Sequence, residues 1–161
     1  MNEALAHARE LLAVVTPLNS DCGRICAAAC CKGNENDGML LFPHEEDYYT
    51  ASDWAKIIKS PVGSLLVCEG SCPREQRPLA CRMFPLRISF NGDKPFAVLD
   101  IRAWAVCPLM NNGLTGLSQS FTDAVTLAGE VLAADEEQLE HLHKTEELAA
   151  QYENLGSSIG I

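Results

Sequence analysis

Arg77-Pro78-Leu79-Ala80-Cys81-Arg82-Met83-Phe84-Pro85 is the stretch on which the reading of this chain turns. It carries one cysteine between two arginines, and seven more cysteines flank it: Cys22, Cys26, Cys30, Cys31, Cys68 and Cys72 before it, Cys107 after. All eight lie between residues 22 and 107. Such clustering at short spacings points to one shared purpose, metal binding, rather than scattered core filling. Directly after the stretch, Leu86-Arg87-Ile88-Ser89-Phe90 alternates apolar and polar residues as a strand does. Asn91-Gly92 marks a turn, and residues 96–102 return as the second strand. This hairpin sets Cys81 opposite the region of Ala105, two residues from Cys107, so it brings two sequence-distant thiols together.

Toward the N-terminus, residues 64–67 read as a strand ending on Cys68, followed by a loop over 69–71 and by Cys72-Pro73. Ser52 can cap a short helix running to Lys59, with Trp54, Ile57 and Ile58 facing inward and Ser60-Pro61 stopping it. Pro43 suits a first helical position, with Glu45, Glu46 and Asp47 in the first turn. Acids there are favoured by the helix dipole, an explanation that outweighs a role as hard-metal ligands or a catalytic acid. Residues 39–42 read as a short buried strand or an extended lead-in, and residues 32–38 as a loop.

Ser20-Asp21 precede Cys22-Gly23-Arg24-Ile25-Cys26-Ala27-Ala28-Ala29-Cys30-Cys31, whose alanines favour a helix. On it, Cys22, Cys26 and Cys30 line one face, and Cys31 points about 100° away. Cys30 and Cys31 therefore serve different sites, or the helix ends at Cys30. Residues 2–15 form an amphipathic helix through Leu5, Ala8, Leu11, Leu12 and Val15, on which His7 is structural.

Residues 118–155 read as two helices. Ser120 and Asp123 resemble a capping box ahead of the stripe Phe121, Val125, Ala128 and Leu132, while Asp135 with Gln138 opens the second helix, which carries Leu139, Leu142, Leu148 and Tyr152. His141 and His143 are two apart and share no helical face, so they form no zinc pair. The acidic face of these helices is a solvated surface or a docking face for an unknown protein partner. The expected fold class is α+β. It is one mostly helical domain over 1–161 with a small antiparallel hairpin or sheet, a cysteine-rich metal-binding centre at 20–110, and C-terminal helices at 118–155.

At 161 residues the chain is long enough for a real core without disulfide staples. Its first residues carry no basic leader with an apolar run, and no stretch approaches the ~18 apolar residues of a spanning helix. A cytoplasmic location with reduced thiols and no membrane partner is expected. The formal charge of -10 argues against a nucleic-acid partner. Arg74, Arg77, Arg82 and Arg87 crowd the cysteine-rich centre, where guanidinium groups, Arg77 and Arg82 above all, would lower thiol pKa and offset thiolate charge.

An all-thiol donor set selects zinc, an iron–sulfur cluster or, third, Cu(I). The close pairs Cys22/Cys26, Cys26/Cys30 and Cys68/Cys72 are all C-x3-C, within the zinc range, and the two Cys-Pro steps at Cys72 and Cys107 echo ferredoxin runs. No C-x2-C occurs, which disfavours thioredoxin-like redox chemistry. Nor does a Ser/His/Asp or Cys/His arrangement stand out.

The order of these cysteines, with Arg-Pro-x-x-Cys-Arg-x-Phe-Pro at residues 77–85 as its most specific part, resembles the YkgJ-like family, a zinc- or iron-chelating CxxCxxCC domain with eight cysteines. The resemblance covers roughly residues 20–110 and implies that Cys22, Cys26, Cys30, Cys31, Cys68, Cys72, Cys81 and Cys107 are metal ligands. The chain departs from the family motif by having three residues, not two, between its first cysteines. The family includes flagellin lysine-N-methylases, but methyl transfer is not carried over, because no glycine-rich turn links a strand to a helix. The primary expectation is a metal-binding protein holding zinc or an iron–sulfur cluster. A methylase-related or redox enzyme is the alternative, and a structural interaction module comes third.

Overall fold

The computed structural model describes residues 2–32, 38–68 and 72–158, the side chains of 155–158 excepted. The loops read at 32–38 and 69–71 fall mostly or wholly outside the described residues. The fold is α+β, as the pattern of elements predicts. Helix α1 spans Glu3–Leu11, shorter than the amphipathic pattern suggests. Asn2 caps it by accepting from Leu5 N at 2.9 Å, and its amide donates to Asp135 at 2.9 Å. One side chain thus ties the start of α1 to the start of the last helix.

Two antiparallel sheets follow. In the first, β3 (Gly63–Cys68) lies between β1 (Met39–Leu40) and β2 (Ala55–Ser60). The helix expected from Ser52 to Lys59 is therefore strand β2, with Ile57 opposite Leu66 and Ile58 opposite Leu65. Two adjacent β-branched isoleucines favour the extended pairing, and Trp54 and Ile57 then pack on Leu41, Tyr49 and Leu66. Tertiary contact outweighs the local N-cap signal. The acidic segment is a 3₁₀ turn over Glu45–Tyr48, entered through His44 at φ 66°, rather than the start of an α-helix.

In the second sheet, β4 (Leu86–Asn91) pairs with β5 (Lys94–Leu99) around a turn at Gly92, whose φ of 62° favours glycine. The second strand ends before Ile101, where a 3₁₀ segment over Ile101–Ala105 begins under an Asp100 cap. Helices α4 (Gln119–Ala133) and α5 (Glu136–Ser158) complete the chain. Helix α4 is entered through Ser118, two residues ahead of the expected capping box, and the Ser118 side chain caps no amide; Asp135 does accept from Gln138 N at 3.1 Å.

The main core joins Leu5 and Ala8 of α1 and Leu12 at its C-cap with Phe121, Val125, Ala128 and Leu132 of α4, and with Leu86 and Ile88 of β4. Burying each such side chain is worth roughly 1.5–3 kcal/mol. Gly129 lets α4 approach β4: a Cβ there would lie 2.8 Å from Ile88 Cδ1. Among the described residues no helix is long and apolar enough to cross a membrane.

His141 and His143 separate as their spacing requires, His141 packing on Phe42 with ring centres 4.6 Å apart and His143 on Phe90 at 4.4 Å. Desolvation, helped by Lys144, lowers the His141 pKa to about 4. Below its ordinary value near 6.5 the unfolded chain therefore binds a proton that the folded chain refuses, so this contribution to stability is intact above pH 6.5 and falls as pH drops toward 4. Urea titrations at pH 7.5 and 5 should show the wild type losing about 2 kcal/mol more than His141→Phe. Equal losses in the two proteins would contradict the assignment.

Candidate metal centre

The eight cysteines reach one region from four parts of the chain. Cys22 stands at the entry to α2 (Gly23–Cys26), which ends on Cys26. The helix does not continue to Cys30, because Ala27 and Ala28 both adopt left-handed conformations, at φ 51° and 54°. Such residues cost roughly 1–2 kcal/mol each relative to helix, so tertiary packing overrides the helical preference of alanine. The expected single face of Cys22, Cys26 and Cys30 is thereby broken, and Cys30 and Cys31 sit in a 3₁₀ turn over Ala29–Cys31.

Cys68 ends β3, and Cys72 precedes the 3₁₀ turn Arg74–Gln76. Cys81 lies on α3 (Leu79–Met83), not on the hairpin itself. Cys107 opens the 3₁₀ segment Pro108–Asn112, where the backbone N–H groups of Leu109 and Met110 donate to its sulfur. The hairpin between β4 and β5 returns the chain so that Cys81 and Cys107 line one cavity.

Two adjoining cavities collect all eight thiols. The first, about 60 Å³, is lined by Cys22, Cys26 and Cys107 together with Cys30 and Cys81. The second, about 150 Å³, is lined by Cys31, Cys68 and Cys72, again with Cys30 and Cys81. Three cysteines belong to each cavity alone, and two belong to both. None of the eight is in a disulfide. As they stand, no three His, Cys, Asp or Glu side chains among the described residues are grouped closely enough to hold a metal ion. Zinc ligation at 2.3 Å brings sulfurs to roughly 3.8 Å of one another in a tetrahedron, so the thiols would have to turn inward. The chemistry of the donor set fits soft metals, since among the described lining residues of either cavity cysteine is the one common metal-ligand type, with no His, Asp or Glu beside it.

The electrostatics differ from one thiol to the next. A hydrogen bond from Cys68, reinforced by Arg77, lowers Cys72 to about 6, and a hydrogen bond from Cys30 lowers Cys31 to about 7. The donors Cys30 and Cys68 shift upward, each chiefly because its proton is held in that bond. Desolvation pushes Cys81, Cys22 and Cys107 up. Arg77 hydrogen-bonds to Cys72 and lines both cavities. Arg82 lines the first cavity, but its guanidinium donates to three backbone carbonyls: Nε to Arg77 at 2.8 Å, Nη1 to Arg9 at 3.0 Å and Nη2 to Glu75 at 2.7 Å. Arg82 therefore clamps the segment in addition to supplying charge. Arg74 lines the first cavity, whereas Arg87 faces elsewhere.

Glu45 is the residue that sequence reasoning passed over. It is fully buried and accepts from Arg9 Nη1 at 2.5 Å, Leu79 N at 2.6 Å and Phe42 N at 3.2 Å. Leu79 begins α3, so this carboxylate fixes the helix that bears Cys81. Burial pushes the Glu45 pKa up while its three donors pull it down. Nothing in the run Glu45-Glu46-Asp47 distinguishes it from its neighbours; only packing does.

Part of the acidic face of α5 is used within the chain. Glu137 meets His44 at 2.7 Å, Glu146 accepts from Ser89 at 2.5 Å, and Glu153 faces Arg87 at 3.6 Å. No family model, no curated protein and no solved structure matches this chain.

Proposed function

We propose that this protein binds metal, holding zinc or an iron–sulfur cluster through Cys22, Cys26, Cys30, Cys31, Cys68, Cys72, Cys81 and Cys107, as its resemblance to the YkgJ-like family implies. One observation carries the reading: all eight thiols line two adjoining cavities, with three exclusive to each and Cys30 and Cys81 common to both. Four thiolates close a tetrahedral zinc site or anchor a cluster. Two four-thiolate centres therefore follow if each cavity takes its three thiols and one of the shared pair. If adjacent Cys30 and Cys31 serve different sites, Cys30 goes to the first centre and Cys81 to the second.

The surrounding charge supports the same reading. Arg77, beside Cys72, favours the thiolate that ligation requires and offsets its charge. Zinc at both centres would together cross-link the four parts of the chain that carry the thiols, and a cluster would add electron transfer. The centre requires reduced thiols, in keeping with a cytoplasmic protein. An enzyme using this centre is the second reading, favoured by an apolar cavity that meets the thiol cavities at Phe84.

Anaerobic purification followed by metal analysis, sulfide assay and a visible spectrum tests the proposal. Stoichiometric zinc in a colourless protein, or iron with labile sulfide and broad visible absorbance, is expected. Metal-free protein that keeps its fold and declines zinc or reconstituted iron and sulfide would refute it.

A further inference from the structure

Beside the thiols lies a third cavity, of about 200 Å³, bounded by β4, the 3₁₀ segment after β5, and α5. Met39 and Phe84 line both it and the second thiol cavity. Its walls are largely apolar, with Phe42, Met83 and Leu142 among them. Pockets of this kind take small organic ligands, and the few polar groups present fix which ones.

Those groups are unequal. Arg102 is committed to Asp100 in a two-pronged pair, Nε to Oδ1 at 2.8 Å and Nη2 to Oδ2 at 2.5 Å, so the acid and one cation cancel. His141 also lines the cavity, and its lowered pKa leaves the ring neutral at pH 7, so it adds no charge. Arg87 is different. Its side chain is only 13% exposed, yet its Nε is buried with no hydrogen-bond partner. Nη1 reaches the Ile88 carbonyl at a long 3.4 Å, and Nη2 stands 3.6 Å from Glu153, whose carboxylate is half in solvent. A desolvated guanidinium with an unmet N–H is a poorly satisfied group in the free protein. Glu153 does not line the cavity, so among the described lining residues Arg87 is the cation whose carboxylate partner lies outside it.

We propose that this cavity binds a small monocarboxylate with an apolar body, its carboxylate accepting hydrogen bonds from Arg87 and its hydrocarbon part lying against Met83, Phe84 and Leu142. A carboxylate is the group whose two oxygens match adjacent N–H groups of a guanidinium. A cationic ligand would meet Arg87 with like charge and could not accept from its Nε, and a dianion would find only one guanidinium with an unmet N–H. No cysteine is among the described residues lining this cavity, although Phe84 also borders both thiol cavities.

Calorimetric titration of the full chain as isolated, with sodium acetate, butyrate and hexanoate, 1-hexanol and hexylammonium chloride, tests this. Affinity should rise about fourfold per methylene from acetate to hexanoate. Hexanoate should bind at least tenfold tighter than hexanol or hexylammonium. Arg87→Gln should weaken hexanoate at least tenfold and leave hexanol unchanged. Thr145→Leu, a helix-compatible change that narrows the cavity, should also weaken hexanoate, and hexanoate should shift the Met83 methyl resonance in the wild type. These last two readouts decide the matter if Arg87→Gln does not fold. Absent or chain-length-independent hexanoate binding, equal affinity for hexylammonium, or an unmoved Met83 signal would overturn the assignment.

Discussion

Glu45→Gln should lower the free energy of unfolding by about 3–5 kcal/mol, because it strips the charge from one half of a buried ion pair and leaves the other half uncompensated. Arg9 is 8% exposed, and its guanidinium also contacts Tyr49 at 3.2 Å and stacks over Tyr48 at 4.4 Å, so it cannot retreat to water without dismantling that packing. Tyr49 in turn donates to the Gln76 carbonyl at 2.8 Å, which ties the network to the segment between Cys72 and Cys81. Urea denaturation measures the loss directly. A second comparison isolates its cause: Arg9→Met combined with Glu45→Gln should recover part of the stability, since no unpaired charge then remains. If Glu45→Gln costs under about 1 kcal/mol, the buried pair does not act as described.

Cys72→Ser and Cys107→Ser should each remove half of the bound metal, and the double variant should bind none. Each residue belongs to one cavity alone, so each substitution should open one of the two proposed four-thiolate centres and spare the other. Because metal binding is folding free energy for such sites, about 10–16 kcal/mol for structural zinc in small peptides, the double variant should also be far more sensitive to denaturant. Metal content per chain and urea midpoints read both effects. A single substitution that emptied the protein would replace two centres with one shared centre, and unchanged metal content would remove Cys72 and Cys107 from the ligand set.

Much of the fold is legible in residue order. The β4/β5 hairpin follows from period-2 alternation around Asn91-Gly92, and α4 from apolar residues at three- and four-residue steps, because these patterns mirror the geometry of the elements themselves. Local signals misled where they were short. Ser52 has the character of an N-cap, yet Ile57 and Ile58 gain more by pairing with Leu66 and Leu65 than a helix of about seven residues gains alone. Three alanines promised a helix through Cys30, yet Ala27 and Ala28 turn left-handed, and only that break carries Cys30 and Cys31 to the cavity of Cys68 and Cys72.

The type and clustering of the candidate donors were determined by sequence alone: eight thiols, no histidine pair, and arginines among them. Their division between two cavities was decided only by tertiary structure, because it depends on where a broken helix, a strand end, α3 and the returning hairpin converge. The same holds for Glu45 and Arg87. Each is an ordinary charged residue in its local sequence, and each acquires its role from burial, which makes the presence or absence of a partner worth several kcal/mol for a charged group and almost nothing at the surface.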